Sequence, residues 1–194
     1  MSGARPFYFE VTQRLKGGLA RSGVIHTPHG DIRTPAFIVV GTKASVKSMT
    51  PEQVKGTGAQ AILANAYHLY LQPGPGLIEK AGGLAKFSHW DGPTFTDSGG
   101  FQVLSLGSGF KKTLSMDVEG VSADDVIAPR KERQAWVDND GATFKSYLDG
   151  SMHRFTPEHS IQIQHGIGAD ICFAFDELTS LMDTRAYQEE SMRV

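Results

Sequence analysis

Four short apolar runs, each ending in a polar residue, set the frame within which this chain can fold. Ala36-Phe37-Ile38-Val39-Val40 leads to Gly41-Thr42, and Ala61-Ile62-Leu63-Ala64 leads to Asn65. A shorter run ends at Asp97, and Asp170-Ile171-Cys172-Phe173-Ala174-Phe175 ends in Asp176-Glu177. Continuous apolar runs of this length predict strands buried on both faces, the habit of parallel sheets covered by helices. Helix signals follow at least three of them. Thr50 is a predicted N-cap with Pro51 at the first helical position. A Pro/Gly-rich turn over Gln72 to Gly76 precedes a short helix around Leu77 to Ala81. Thr156-Pro157-Glu158 opens a helix through Ile167, and residues 184–193 read as a helix within which the sequence stops. The fold class is therefore α/β. Polar residues at the carboxyl ends of successive parallel strands occupy the edge where such folds place active sites. Spacing fits either an open doubly wound sheet or part of an eight-stranded barrel, which needs about 250 residues. Four such units are half a barrel, and 194 residues are too few to supply the rest.

Two segments break this rhythm. Residues 1–35 form a β-rich preface, with Phe7 to Val11 and Gly23 to His26 strand-like and Pro28-His29-Gly30-Asp31 a turn into Ile32-Arg33. Residues 108–140 are alternately polar, acidic and basic, and read as a mobile insertion. It closes into a predicted hairpin at Asn139-Asp140-Gly141, between Ala135-Trp136-Val137 and Thr143 to Tyr147.

Composition excludes several classes. With 40% hydrophobic and 21% charged residues the chain is globular rather than disordered. No apolar run approaches the roughly 20 residues that span a bilayer, and Met1 to Val11 carries no secretory signal. No membrane partner and a cytoplasmic location are the expectations. The net charge of −2 does not announce a nucleic-acid binder, and Arg130-Lys131-Glu132-Arg133 is read as a solvated loop end. Cys172 is the one cysteine, so an internal disulfide and a cysteine-cluster metal site are excluded.

The chemistry concentrates in Phe95-Thr96-Asp97-Ser98-Gly99-Gly100-Phe101-Gln102. A strand delivers a carboxylate to the sheet rim, and glycines then let the backbone turn sharply and approach a ligand. Asp97 and Asp176 could each pair with adjacent N–H groups of a guanine-like base, with Phe101 as the stacking face. One of them could shuttle a proton at the glycosidic nitrogen. The plainer alternative is that both aspartates cap loops or helices. His153, His159 and His165 lack the spacing that shares a helix face and are read as structural, with no metal site. His68 is read as a packed loop residue. Neither Gly82-Gly83 nor Gly99-Gly100 makes a phosphate loop, since neither is followed by Lys-Ser/Thr.

A longer series of motifs carries a resemblance. Asn65-Ala66-Tyr67-His68-Leu69, Leu71-Gln72-Pro73-Gly74, Trp90-Asp91-Gly92-Pro93 and Thr96 to Val103 follow one another in order. Phe144 to Ser151, Thr156-Pro157-Glu158, Ile163-Gln164 and Phe175-Asp176-Glu177 complete the set. The chain resembles the N-terminal half of the tRNA-guanine transglycosylases (queuine tRNA-ribosyltransferases) of bacterial type. The resemblance implies a TIM (β/α)8 barrel, of which this chain supplies about the first half plus the β-hairpin preface, as part of a single catalytic domain. It implies a pentosyltransferase that exchanges the wobble guanine of GUN-anticodon tRNAs for a 7-deazaguanine precursor of queuosine, through a covalent tRNA intermediate. Asp97 is then the catalytic proton acceptor. Asp97, Ser98, Gly99, Gly100, Phe101 and Asp176 line the base pocket, Phe101 stacking on the base and Asp176 holding it bidentately. The family's partners are the tRNA anticodon loop, guanine or the 7-deazaguanine base, and a second copy in a homodimer.

Two departures accompany the resemblance. The 108–140 insertion is longer than the family's usual connection. The nucleophilic aspartate and the Cys-x-Cys-x-x-Cys…His zinc site belong to the family's C-terminal half, so the zinc ligands are absent from this chain and it binds no cofactor itself. A fragment inactive in base exchange and prone to self-association through its open sheet edges is expected. Two alternatives stand beside it: a non-catalytic tRNA-binding partner subunit of the same fold, and an unrelated open-sheet nucleotide-binding protein.

Overall fold

The computed structural model describes residues 7–107, 135–177, 179 and 183–193. The chain opens with three antiparallel strands, β1 (Tyr8–Arg14), β2 (Arg21–Thr27) and β3 (Gly30–Thr34). They are the β-rich preface that the sequence predicts. β4 (Val39–Val40), helix α1 (Pro51–Gly56), β5 (Ile62–Ala64) and three short helices, α2 (Ala66–Leu71), α3 (Pro75–Lys80) and α4 (Leu84–Phe87), come next. β6 (Thr94–Thr96) and α5 (Gly100–Gly107) follow. Beyond residue 134 come β7 (Ala135–Asp138), β8 (Gly141–Lys145), β9 (Met152–Phe155), α6 (Pro157–Ile167), β10 (Ile171–Cys172) and α7 (Arg185–Ser191). The greater part of the 108–140 insertion lies outside the described residues.

Two compact units result. One holds the described residues through Ser98 together with Ile161–Ala174, and the other holds Gly99–Ser160 and the segment from Phe175. In the first, β4, β5, β6 and β10 form a parallel sheet in chain order, without the reversal that marks a doubly wound sheet. Adjacent residues of β5 point to opposite faces. Leu63 joins Ile32, Ala61 and Phe95 on one face, where the preface packs, while Ile62 meets Val54 and Trp90 on the other. α1 starts as its sequence dictates. The Thr50 side chain accepts the Gln53 N–H, and the Gln53 side chain accepts the Thr50 N–H at 2.9 Å.

Three expectations need correction. The run Ala36 to Val40 is a strand over Val39–Val40 alone, and Phe37 is 81% and Val40 52% exposed. Likewise the run from Asp170 to Phe175 yields only the two residues of β10, with Phe173 and Ala174 exposed. The cause is common: among the described residues β4 and β10 are the outermost strands of the sheet, each without a strand neighbour on one side. His68, read as a packed loop residue, is part of helix α2.

In the second unit β7, β8 and β9 form an antiparallel sheet. The pairing of Asp138 with Gly141 leaves Asn139-Asp140 as a two-residue turn, as predicted. Gly141 has φ +150°, and a Cβ there would stand 2.1 Å from the Phe155 carbonyl oxygen. Phe144 and Phe155 are buried and meet edge to face at 5.1 Å. α6 and α7 fall where the sequence places them, α7 ending at Ser191.

Candidate active site

The parallel sheet aligns its carboxyl ends. The Asn65 N–H donates to the Thr42 carbonyl at 3.2 Å, Asp97 N–H to Ala64 at 3.4 Å, and Phe173 N–H to Thr96 at 3.2 Å. Thr42, Asn65 and Asp97 therefore stand side by side on one edge, as the sequence predicts. The fourth position in this row is Phe173 rather than Asp176, because β10 ends at Cys172. Asp176 lies three residues farther along the chain and is exposed.

Asp97 is half-buried directly beyond the wholly buried Thr94 and Thr96. Its Oδ1 accepts the Ala66 backbone N–H at 2.8 Å, and its Oδ2 accepts the Asn65 side-chain amide. Asn65 makes no side-chain cap to α2, so a carboxylate 31 residues along the chain satisfies the first N–H of that helix. A negative group is well placed there, since the free N–H groups of a helix start carry partial positive charge. His68, on the same helix, has its pKa lowered chiefly by burial and further by Lys43, while Asp97 opposes the shift. The neutral imidazole is the favoured form near the carboxylate.

Ser98 is buried, and Gly99 takes a φ of +83°, the sharp turn that a side chain would resist. Gly100 begins α5, and the Phe101 ring is 46% exposed, open to a planar partner. In the second unit Asp176 lines a cleft of about 720 Å³ together with Gly100, Asp138, Asp140, Glu177 and Tyr187. The Tyr187 hydroxyl donates to Glu177, and that bond above all pushes the phenol pKa up to about 12. With Glu190 these acids make this cleft acidic, a setting that suits a ligand bearing N–H donors.

The three histidines are engaged separately. His153 shares a 2.7 Å hydrogen bond with the Ser151 hydroxyl, His159 Nδ1 donates to the Arg154 carbonyl at 2.9 Å, and His165 is exposed. Among the described residues no group of three or more His, Cys, Asp or Glu side chains is placed to hold a metal. Sequence reasoning missed Asn65 and the Ala66 N–H as the partners of Asp97, and it missed Tyr187. Asn65 was detectable: it ends the strand beside the one that ends at Asp97.

A parallel sheet in chain order, with an acid, a buried serine and two glycines leaving one strand end, defines an α/β protein with its candidate site at the strand ends. The chain belongs to the queuine tRNA-ribosyltransferase family, whose family model matches residues 16–194. It is 52% identical over 175 residues to a queuine tRNA-ribosyltransferase of Roseiflexus sp. (strain RS-1), covering 88% of this chain and 41% of the relative. To that of Pelotomaculum thermopropionicum it is 44% identical over 179 residues, covering 92% and 42%. To that of Ruegeria sp. (strain TM1040) it is 47% identical over 191 residues, covering 98% and 44%. The chain thus spans less than half the length of the curated relatives it matches.

Proposed function

We propose that this chain supplies the guanine-reading part of a tRNA-guanine transglycosylase, a pentosyltransferase of queuosine synthesis acting on the wobble guanine of GUN-anticodon tRNAs. The observation that carries the proposal is the Asp97 carboxylate at the aligned strand ends, followed at once by the Ser98-Gly99-Gly100 turn, within a family match over nearly the whole chain. Asp97 accepts the proton and holds the base, Ser98 to Gly100 bring backbone close to it, Phe101 stacks, and Asp176 takes two adjacent N–H groups. The incoming base is a 7-deazaguanine, and the nucleophile that forms the covalent tRNA intermediate lies outside this chain.

The chain-order sheet, with β4 and β10 uncovered, is the first half of a TIM barrel. On this proposal the chain alone is inactive, self-associates through those edges, and acts in the cytoplasm; the complete protein is a homodimer. The family's zinc needs thiolates that these residues do not offer. Cys172 is the one cysteine, and its sulfur sits 3.7 Å from the Thr96 hydroxyl across the β6–β10 pair.

The test is incorporation of labelled guanine into a GUN-anticodon tRNA. The chain alone should incorporate none, whereas the chain joined to the part of the Roseiflexus relative beyond the match should be active. Asp97→Asn should abolish that activity. A joined protein that folds and binds tRNA yet exchanges nothing would sink the catalytic assignment and leave the partner-subunit role.

A further inference from the structure

Gln164 is wholly buried although its side chain is a primary amide, which demands partners. It sits on α6 and reaches two strands. Its Oε1 accepts the Thr96 hydroxyl at 2.9 Å and the Phe173 N–H at 3.1 Å, and its Nε2 donates to the Phe173 carbonyl at 2.9 Å. The amide thus pairs with both backbone groups of Phe173, as a neighbouring strand would. It does so just where β10 stops, on the residue aligned with Asp97. Thr96 is the residue before Asp97, and Phe173 lies three before Asp176. The Phe173 ring is held in turn against Phe95, edge to face at 6.2 Å.

We infer that Gln164 is a positioning residue: its buried amide fixes where the two carboxylate-bearing segments leave the sheet. It touches no substrate, and its effect reaches the base through Thr96 and Phe173. A helix that served only to cover the sheet would need an apolar side chain here. An amide in a fully buried place is tolerated only if its bonds specify something, and these specify the height of two strand ends. The inference rests on the guanine-binding roles proposed for Asp97 and Asp176.

Its test has two arms. In the chain itself, the Phe173 amide donates to the Thr96 carbonyl as well as to Gln164. Gln164→Leu, of similar volume, should therefore not bare it outright but should speed its exchange with solvent deuterium by about tenfold as the released strand end frays. In the joined protein, Gln164→Leu should raise KM for guanine and lower kcat, each by about tenfold, because Asp97 both holds the base and accepts the proton, and misplacement by about 1 Å costs about 10²-fold in all. A variant folded at the assay temperature with an unchanged KM overturns the inference. If Gln164→Leu does not fold, Thr96→Val decides: a raised KM supports the crossbar, and an unchanged one overturns it. If the unsubstituted joined protein exchanges no guanine, the functional proposal falls by itself. The Phe173 amide then still decides, since an unchanged exchange rate in the variant overturns the crossbar and faster exchange upholds it.

Discussion

Asn65 and Asp97 stand 32 residues apart in the chain and are joined side chain to side chain, amide to carboxylate, across adjacent parallel strand ends. The carboxylate is thereby oriented before any ligand arrives. Asn65→Ala removes one charge-assisted bond and leaves the one from Ala66. It should cost about 1.5–3 kcal/mol, the range for hydrogen bonds to charged groups. Urea unfolding measures it, and an unmoved midpoint would show that Asn65 contributes no net stability.

The second unit depends on one glycine. At Gly141 the backbone sits at φ +150° and a Cβ would overlap the Phe155 carbonyl oxygen. Gly141→Ala should cost at least about 2 kcal/mol and disturb the β8–β9 pairing, through backbone strain and displacement of a strand. Loss of the nuclear Overhauser contacts between Ala142 and Phe155 would report it. Retained contacts and stability would refute it.

Acid should loosen the same sheet. Arg154 grips Asp138 with two bonds of 2.9 and 2.7 Å and holds its pKa down from 3.8 to about 2. The Ser151 hydroxyl and N–H, with Ser146, hold Asp149 to about 2 as well. Both pKa values are depressed in the folded state, so their contribution is complete above about pH 4 and is lost as pH falls toward 2. Asp138→Asn and Asp149→Asn should each flatten the decline of stability over that window. An unchanged slope in both would mean that the pairs are equally formed in the unfolded chain.

At the amino end of the parallel strands Asp170 has a side chain only 1% exposed. It accepts from His29 Nδ1 at 2.7 Å and from the Thr94 N–H at 2.9 Å. Asp170→Ala leaves the Thr94 N–H without its side-chain acceptor, while His29, 53% exposed, can turn to water. It should cost about 1–3 kcal/mol, the range for a buried donor left unsatisfied. His29→Ala leaves the Thr94 bond in place and should cost less. Equal losses in thermal unfolding would show that the strand contact contributes nothing.

The features legible in the sequence were those set by neighbours along the chain. The Thr50 N-cap, the Asn139-Asp140 turn and the Thr156-Pro157 helix start are all local chemistry, and all are found in place. Helix α2 escaped because its N-terminal partner is Asp97, a residue that no local window contains. β9 escaped because Met152-His153-Arg154-Phe155 becomes a strand only against β8. The apolar runs around β4 and β10 promised full burial, yet burial of an outermost strand depends on what lies beside it. Asp97 was found because a strand end followed by Gly-Gly is a local signal. The Asn65 clamp and the Gln164 crossbar are tertiary, and only the fold discloses them.

The bond between His29 and Asp170 spans 141 residues, so it cannot form until the chain's last described strand has been laid down. Long closures are costly in entropy and come late in folding. The preface is synthesised first, and its apolar face packs on Ala61, Leu63 and Phe95, all made long before Asp170. The latch is therefore a late lock on a preface already seated, and its loss should loosen the edge of the meander without baring that face.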